Sequence, residues 1–366
     1  MKIVHSISYA TRGSVSMLAA SATLLAVLAA APAPADASPA CASQIKKCGC
    51  TVISTGIYTV TKDLDANQGL TSRNDCIDVT APNVILKLKG HPVNGPATGV
   101  GTGIWLSSAA TSSIVEGADN SGAAPEPPTL GALQFSAPPL ALAGKMPLFG
   151  QVQASGPASL LSEESVMLPV QDPWTPLAGA QPTINGWQYG IEDDADFSTV
   201  ELFKQIGGNL FLQHGNSIAG VFVNGASNVT LDDMIVGFNG KNGINIQNGG
   251  SNRLFDVTVD HNGTDGVAIQ SSNVNTIANI TADHNKGHGI AVYSSDNDQL
   301  FTFGAFKNDL DGVFVGVNPD LPLAGPGLGN HLSNGSARDN GDYGVELDDT
   351  TAGNTVNQLT ETGANN

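Results

Sequence analysis

The sequence is short of aromatic residues, basic residues and long apolar runs, and each shortage removes a class of protein. Phe, Trp and Tyr make up 5% of 366 residues, whereas glycine alone contributes 43. So few large rings argue against one bulky globular core and for many short strands and turns. Lys and Arg number 15 against 33 Asp and Glu, a formal net charge of −18. Phosphate recognition depends on Lys and Arg, so nucleic acid is a poor partner. A polyanionic sugar would be repelled as well, unless bound calcium bridged the two, and calcium is the one cofactor this charge balance suggests. The sustained apolar stretch from Met17 to Ala30 is too short to span a bilayer comfortably. No later run is long enough for a membrane helix, so no membrane insertion is expected after a leader is removed.

What is present begins with that leader. Lys2 and Arg12 precede the apolar stretch, and Ala35-Asp36-Ala37 fits the small-residue cleavage rule. Residues 1–37 are therefore expected to be a signal peptide, with export to the periplasm, the cell surface or the medium. Without them the chain keeps 13 basic and 32 acidic residues, a net charge of −19. Export makes Cys41, Cys48, Cys50 and Cys76 disulfide candidates. Four cysteines allow three pairings. A staple from Cys76 to Cys48 or Cys50, fastening the N-terminal end, is the expected arrangement.

The chain also has a repeat. Asn216, Asn239, Asn262, Asn285 and Asn308 recur every 23 residues, and Asn340 follows after 32. Gly220, Gly243, Gly266, Gly289, Gly312 and Gly344 keep the same steps. Behind each glycine come two apolar residues separated by one, such as Ile244 and Ile246 or Val267 and Ile269, which is the period-2 mark of a strand. A second strand follows, with Leu231, Leu254, Ile277, Leu300 and Leu332 in phase, preceded by Asn252, Asn275, Asn330 and Asn354. The repeat is shorter than the roughly 30 residues a β-α-β unit needs. Wound as one coil each, the repeats stack equivalent residues ~4.8 Å apart. Apolar columns then fill the interior and the asparagines form a hydrogen-bonded ladder. Glycine suits the turn that enters each strand. The expected fold is all-β: a right-handed parallel β-helix (solenoid) of 23-residue coils, interrupted by a long Pro/Ala-rich insertion.

Weaker copies precede the main run. Cys76 to Val79 with Asn83 to Leu88 reads as one coil, and Gly103 to Leu106 with Ile114-Val115 as the next. Residues 38–119 are thus the N-terminal cap and first coils, and residues 186–366 the main β-helix. Between them, residues 120–185 hold 11 of the 20 prolines and one basic residue, Lys145. This segment reads as an insertion or lid. The nine extra residues around 318–327 read as a side loop.

The N-G-I-x-I text of Asn242 to Ile246 with its following Asn252 resembles the parallel β-helix repeat proteins, the pectin-lyase-like superfamily. That group includes polysaccharide enzymes, alginate C5-epimerases and copper-site maturation proteins. Asn83 and Gly90-His91-Pro92 look like its opening coils. The resemblance implies the fold and a polysaccharide partner. Gly287-His288-Gly289 is similar to the G-H-G of polygalacturonases, and His288-Gly289-Ile290 to the K-H-G-I of the epimerases. The chain departs from both groups: Asn242 and Thr264 stand where polygalacturonases carry aspartates, and the epimerases' D-P-H-D motif is absent.

Stacking selects the candidate residues. Asp265, His288 and Asp311 precede successive turn glycines, so the carboxylates should flank the imidazole about 9.6 Å apart, two strand spacings. Inverting glycosidases use about 6.5–9.5 Å, so this trio is the candidate acid–base group. Asn242 and Tyr343 extend the column as candidate substrate contacts, with Trp174 and Trp187 as candidate sugar-stacking rings. Asp260 with Asp283 and His261 with His284 form a second pair of columns, a candidate metal site. Glu192 to Asp196 reads as solvated charge. Two functions compete: a polysaccharide-binding or -modifying protein of lyase, hydrolase or C5-epimerase type, and a non-catalytic surface or adhesin-like rod.

Overall fold

The computed structural model describes residues 38–96, 98–118, 183–208, 215–317, 325, 327–348 and 351–362. The expected signal peptide, most of the Pro/Ala-rich insertion, Trp174 and most of the side loop lie outside the described residues.

From Ser38 onward the described residues wind as a parallel solenoid. A ten-stranded sheet takes one short strand per coil, and a sixteen-stranded sheet takes the rest. All pairings are parallel between successive coils: Val221 lies beside Ile244, Ile244 beside Val267 and Val267 beside Ile290. The 32-residue step is absorbed without loss of register, because Val313 pairs with Val345 and Leu300 with Leu332. Extra chain in the side loop costs little when the strands on either side keep their partners. The apolar columns form one continuous core, with Ile244, Val267, Ile290, Leu254 and Ile277 fully buried. The opening segment lies beneath the first coils, with Cys50–Val52 beside Ile77–Val79 and Gly56–Thr59 beside Val84–Lys87. The main run begins slightly early, since Thr183–Asn185 already pairs with Thr199–Gly207.

The asparagine ladder forms as expected. Each Nδ2 donates to the next Oδ1 at 3.0–3.1 Å from Asn216 through to Asn340. The same Oδ1 accepts the backbone N–H of the asparagine one coil earlier, as Asn285 does from Asn262 at 3.1 Å. Nδ2 also donates to a backbone carbonyl, Val259 for Asn285 at 3.2 Å. Each interior amide thus has its donors and acceptor engaged while buried, the condition under which a buried polar group does not destabilise.

The turn glycines serve a different purpose from the one expected. Gly266 and Gly289 have ordinary negative φ. A Cβ on Gly266 would lie 2.6 Å from the Gly289 carbonyl oxygen and 2.8 Å from Asn285 Nδ2. Close approach of coil and ladder, not left-handed backbone, requires glycine there. Left-handed positions fall elsewhere, among them His261, His284 and Lys307 at φ 51–53°.

Two disulfides close the N-terminal end, Cys41–Cys50 and Cys48–Cys76. The staple on Cys76 is the expected one, with Cys48 as its partner. All four cysteines are thereby paired.

The second ladder contains an acid. Asn275 donates through both N–H and Nδ2 to Asp298 Oδ1 at 2.7 and 2.8 Å, and the Asp298 N–H donates to Asn330 Oδ1. Asp298 is fully buried, and its Oδ2 has no partner. Burial pushes its carboxyl up to about 7, against the pull of Asn275. The folded state therefore holds a proton that the unfolded chain releases in the ordinary carboxylate range. Stability is full below that range and falls as pH rises toward 7. Asp298→Asn completes the ladder, so it should add about 1–3 kcal/mol at neutral pH and above. Urea unfolding at acid and mildly alkaline pH should show this gain shrinking as pH falls. A gain independent of pH would contradict the assignment.

Candidate functional site

The outward face of the ten-stranded sheet carries the His288 column. The strand Ile290–Tyr293 follows His288 after Gly289, and Val313–Gly316 follows Asp311 after Gly312 one coil later. The column is hydrogen-bonded from coil to coil. Asn242 Oδ1 accepts the Asp265 N–H at 3.2 Å and also the Thr264 hydroxyl. Asp265 Oδ1 accepts the His288 N–H at 2.9 Å. His288 Nδ1 lies 3.3 Å from the Asp311 N–H, and Asp311 Oδ1 accepts the Tyr343 N–H at 2.8 Å. The Asn242, Asp265 and Asp311 side chains therefore also satisfy turn amides.

The stacking expected of the trio is present, and the structure adds contacts around it. His288 Nδ1 is 2.9 Å from Asp311 Oδ2, closer than to the amide. A proton on Nδ1 shared with that carboxylate leaves Nε2 as the basic nitrogen. Tyr293 donates its hydroxyl to Asp265 Oδ2 at 3.1 Å. Phe314 stacks on the His288 ring at 4.8 Å, and Tyr293 meets it edge-on at 6.3 Å. Tyr293 and Phe314 pack over the buried Ala268 and Ala291, giving a small apolar cluster outside the main core.

These surroundings push the two carboxyls apart. Burial raises Asp265, opposed by the charge and N–H of His288 and by the Tyr293 hydroxyl. Burial also acts to raise Asp311, but the His288 ring and the Tyr343 N–H outweigh it, and the carboxyl is lowered. Glu346 is raised by burial and by sharing a hydrogen bond with Asp311. One acid more readily protonated and one more firmly ionised on either side of an imidazole is a pairing suited to proton transfer.

Other candidates divide. Tyr343 is 53% exposed at the end of the column, open to a ligand. Trp187 is not: it is fully buried and donates its indole N–H to the Val93 carbonyl at 3.1 Å. The expectation that it stacks on a sugar is corrected, because its faces are used by the core. Asp260, His261 and His284 bring one ligand atom each within 4.8 Å of one another, and Asp283 stands 3.0 Å from His284.

The sequence reading missed a second group on the same face. Trp105 pairs with Asp78 in the coil below and Glu192 in the coil above. Arg73 lies 3.7 Å over the Trp105 ring, 3.0 Å from Asp75 and 3.6 Å from Glu192. Trp105 donates to Asp194 at 3.0 Å. Burial, with Asp75 nearby, lifts Asp78 to about 7. Burial lifts Asp193 to about 7 as well, although Ser198 and the Ala195 N–H bond it. The segment read as solvated charge is therefore largely tied down. The alternation Ile104-Trp105-Leu106 was the signal for an outward tryptophan.

Residues 219–365 match the family model described as right handed beta helix region. The fold is a right-handed parallel β-helix. No curated protein matches the chain in sequence. Among solved structures, this β-helix is similar to the periplasmic alginate epimerase AlgG at 13% identity and TM-score 0.44, covering 84% of this chain and 76% of that one. It is similar to Dettilon tailspike protein at 10% identity and TM-score 0.42, covering 87% and 60%. It is also similar to the Azotobacter vinelandii mannuronan C-5 epimerase AlgE6 A-module at 13% identity and TM-score 0.37, covering 87% and 85%. No helix among the described residues is long and apolar enough to cross a membrane.

The assignment of Trp187 to the core is testable. Trp187→Ala should cost about 3–5 kcal/mol of stability by urea unfolding and leave any carbohydrate affinity of the folded fraction unchanged. Lost affinity with unchanged stability would reverse it.

Proposed function

We propose that the β-helix binds a polysaccharide on the outward face of its ten-stranded sheet, with His288 as the acid–base group. The observation that carries this reading is the His288 ring held between Asp311 at 2.9 Å and the Phe314 face at 4.8 Å. Asp311 fixes the ring, leaving Nε2 to take or return a proton. Asp265, raised toward its neutral form and held by Tyr293, is the second proton carrier. Lyase, hydrolase and C5-epimerase reactions all need such a pair, and this face offers it beside aromatic rings that suit a sugar ring. Trp105 and Arg73 extend the same face about five rungs, roughly 24 Å, toward the N-terminus. Carboxylates outnumber cations along it, which favours a neutral chain or one bridged by a cation. Two disulfides suit an exported protein.

One observation favours a second reading. Asn242, Asp265 and Asp311 each cap a turn amide one coil on, a structural role that a non-catalytic surface rod would also need.

The two readings separate in one assay. The protein and His288→Ala are incubated with neutral and acidic polysaccharides, with and without calcium, and products are followed by chain length and proton NMR. The enzyme reading expects cleavage or epimerisation that falls about 10²–10⁴-fold in the variant. Binding without product, equal in both proteins, would support the rod.

A further inference from the structure

A different edge of the solenoid carries a group that the His288 face does not use. The strand Arg253–Asp260 ends in Asp260, and His261 follows at φ 52°. One coil later Thr276–Asp283 ends in Asp283, and His284 follows at φ 53°. The repeated left-handed turn stacks the side chains. Phe238, His261 and His284 form a pile of rings with centroids 4.8 Å apart and planes within 13° of parallel.

The polar atoms here are incompletely satisfied. Asp260 is 1% exposed. Its Oδ1 faces His261 Nδ1 at 2.7 Å, whereas its Oδ2 is buried without a partner. Asp283 Oδ1 and His284 Nδ1 lie 3.0 Å apart, yet the two are out of line for a hydrogen bond and each lacks one. A buried carboxylate oxygen with no donor is costly unless something positive meets it.

From this geometry we infer that Asp260, His261 and His284 bind one divalent first-row transition ion, with zinc as the representative. One ligand atom from each already lies within 4.8 Å of the others. Zinc–nitrogen bonds are about 2.0–2.1 Å, so the two rings must pivot toward each other to share the ion. Asp283 Oδ1, 3.0 Å from His284 Nδ1, would come into line with that nitrogen as the ring pivots, the usual carboxylate partner of a metal-bound imidazole, with Nε2 left for the ion. Two imidazoles and a carboxylate suit zinc, nickel or copper. Calcium takes six to eight oxygens, so the calcium suggested by overall charge does not fit this donor set. Three protein ligands leave a coordination position for water or another molecule. His261 also lines a cleft of about 510 Å³ with Phe238 and Gly263, which gives that edge access to solvent. Because the ligands come from two successive coils, the ion would clamp one rung to the next.

The test uses the full chain free of any histidine tag, and zinc as the probe. Isothermal titration should give one zinc per chain, with a rise in melting temperature. Asp260→Asn and His284→Ala should each weaken zinc binding at least tenfold, with metal-free circular dichroism unchanged. Asp260→Asn keeps the side-chain shape, so it stays informative if His284→Ala folds poorly. His288→Ala should leave zinc affinity unchanged. Copper(II) should bind more tightly than zinc, and a tenfold excess of calcium should not displace it. Zinc affinity equal in the parent and both cluster variants, or displacement by calcium, would overturn the assignment.

Discussion

The structure depends on one contact repeated along the axis: a carboxamide hydrogen-bonded to an identical carboxamide one rung away. An asparagine at this position offers two donors and an acceptor, and the stack uses them. Asn262 Nδ2 reaches both Asn285 Oδ1 and the Val236 carbonyl, and Asn262 Oδ1 accepts from Asn239. An apolar side chain would leave the turn amides unpaired, and a longer one would not fit the interior. The ladder thus makes a 23-residue step the length at which each coil closes on its neighbour. The adjacent glycines follow from it, since a Cβ on Gly289 would meet Asn308 Nδ2 at 2.7 Å.

The same stacking brings like chemistry together elsewhere. Any polar residue repeated at the coil period meets a copy of itself or a partner one rung away. Along the turn from Asn216 to Asn340 this yields a satisfied ladder. On the outward face it sets Asp265, His288 and Asp311 in file. At the far turn it piles His261 on His284. Asp298 shows how narrow the tolerance is: an acid replaces an amide by exchanging one group, and a buried oxygen is left without a donor.

The fold was legible because its signals are periodic. Asn216 to Asn308, the turn glycines and paired apolar residues such as Ile244 and Ile246 all keep one step, so register followed from arithmetic. The His288 trio was legible for the same reason. Aperiodic features were less so. Tyr293 and Phe314 enclose His288 from two strand positions whose columns hold Gln247 and Gln270 in the one case and Asn245, Ala268 and Ala291 in the other. Arg73 comes from an irregular segment before the coil of Ile77, and nothing in its local sequence marks Trp105 as its partner. Trp187 was misread because a tryptophan next to a proline-rich stretch looks the same whether it faces a ligand or plugs the core. The glycine column was found but its cause was not, since close approach and left-handed backbone select the same residue.

The central claim is that one period is one closed coil, and deleting a coil tests it most directly. Removing residues 263–285 takes out one period and lets Asn262 stand where Asn285 stood, stacked on Asn308. Removing residues 263–274 takes out about half a period. The account predicts that the first deletion keeps a β-sheet circular dichroism spectrum and a single cooperative thermal transition, whereas the second loses cooperative unfolding. Equal disruption by the two deletions would contradict it.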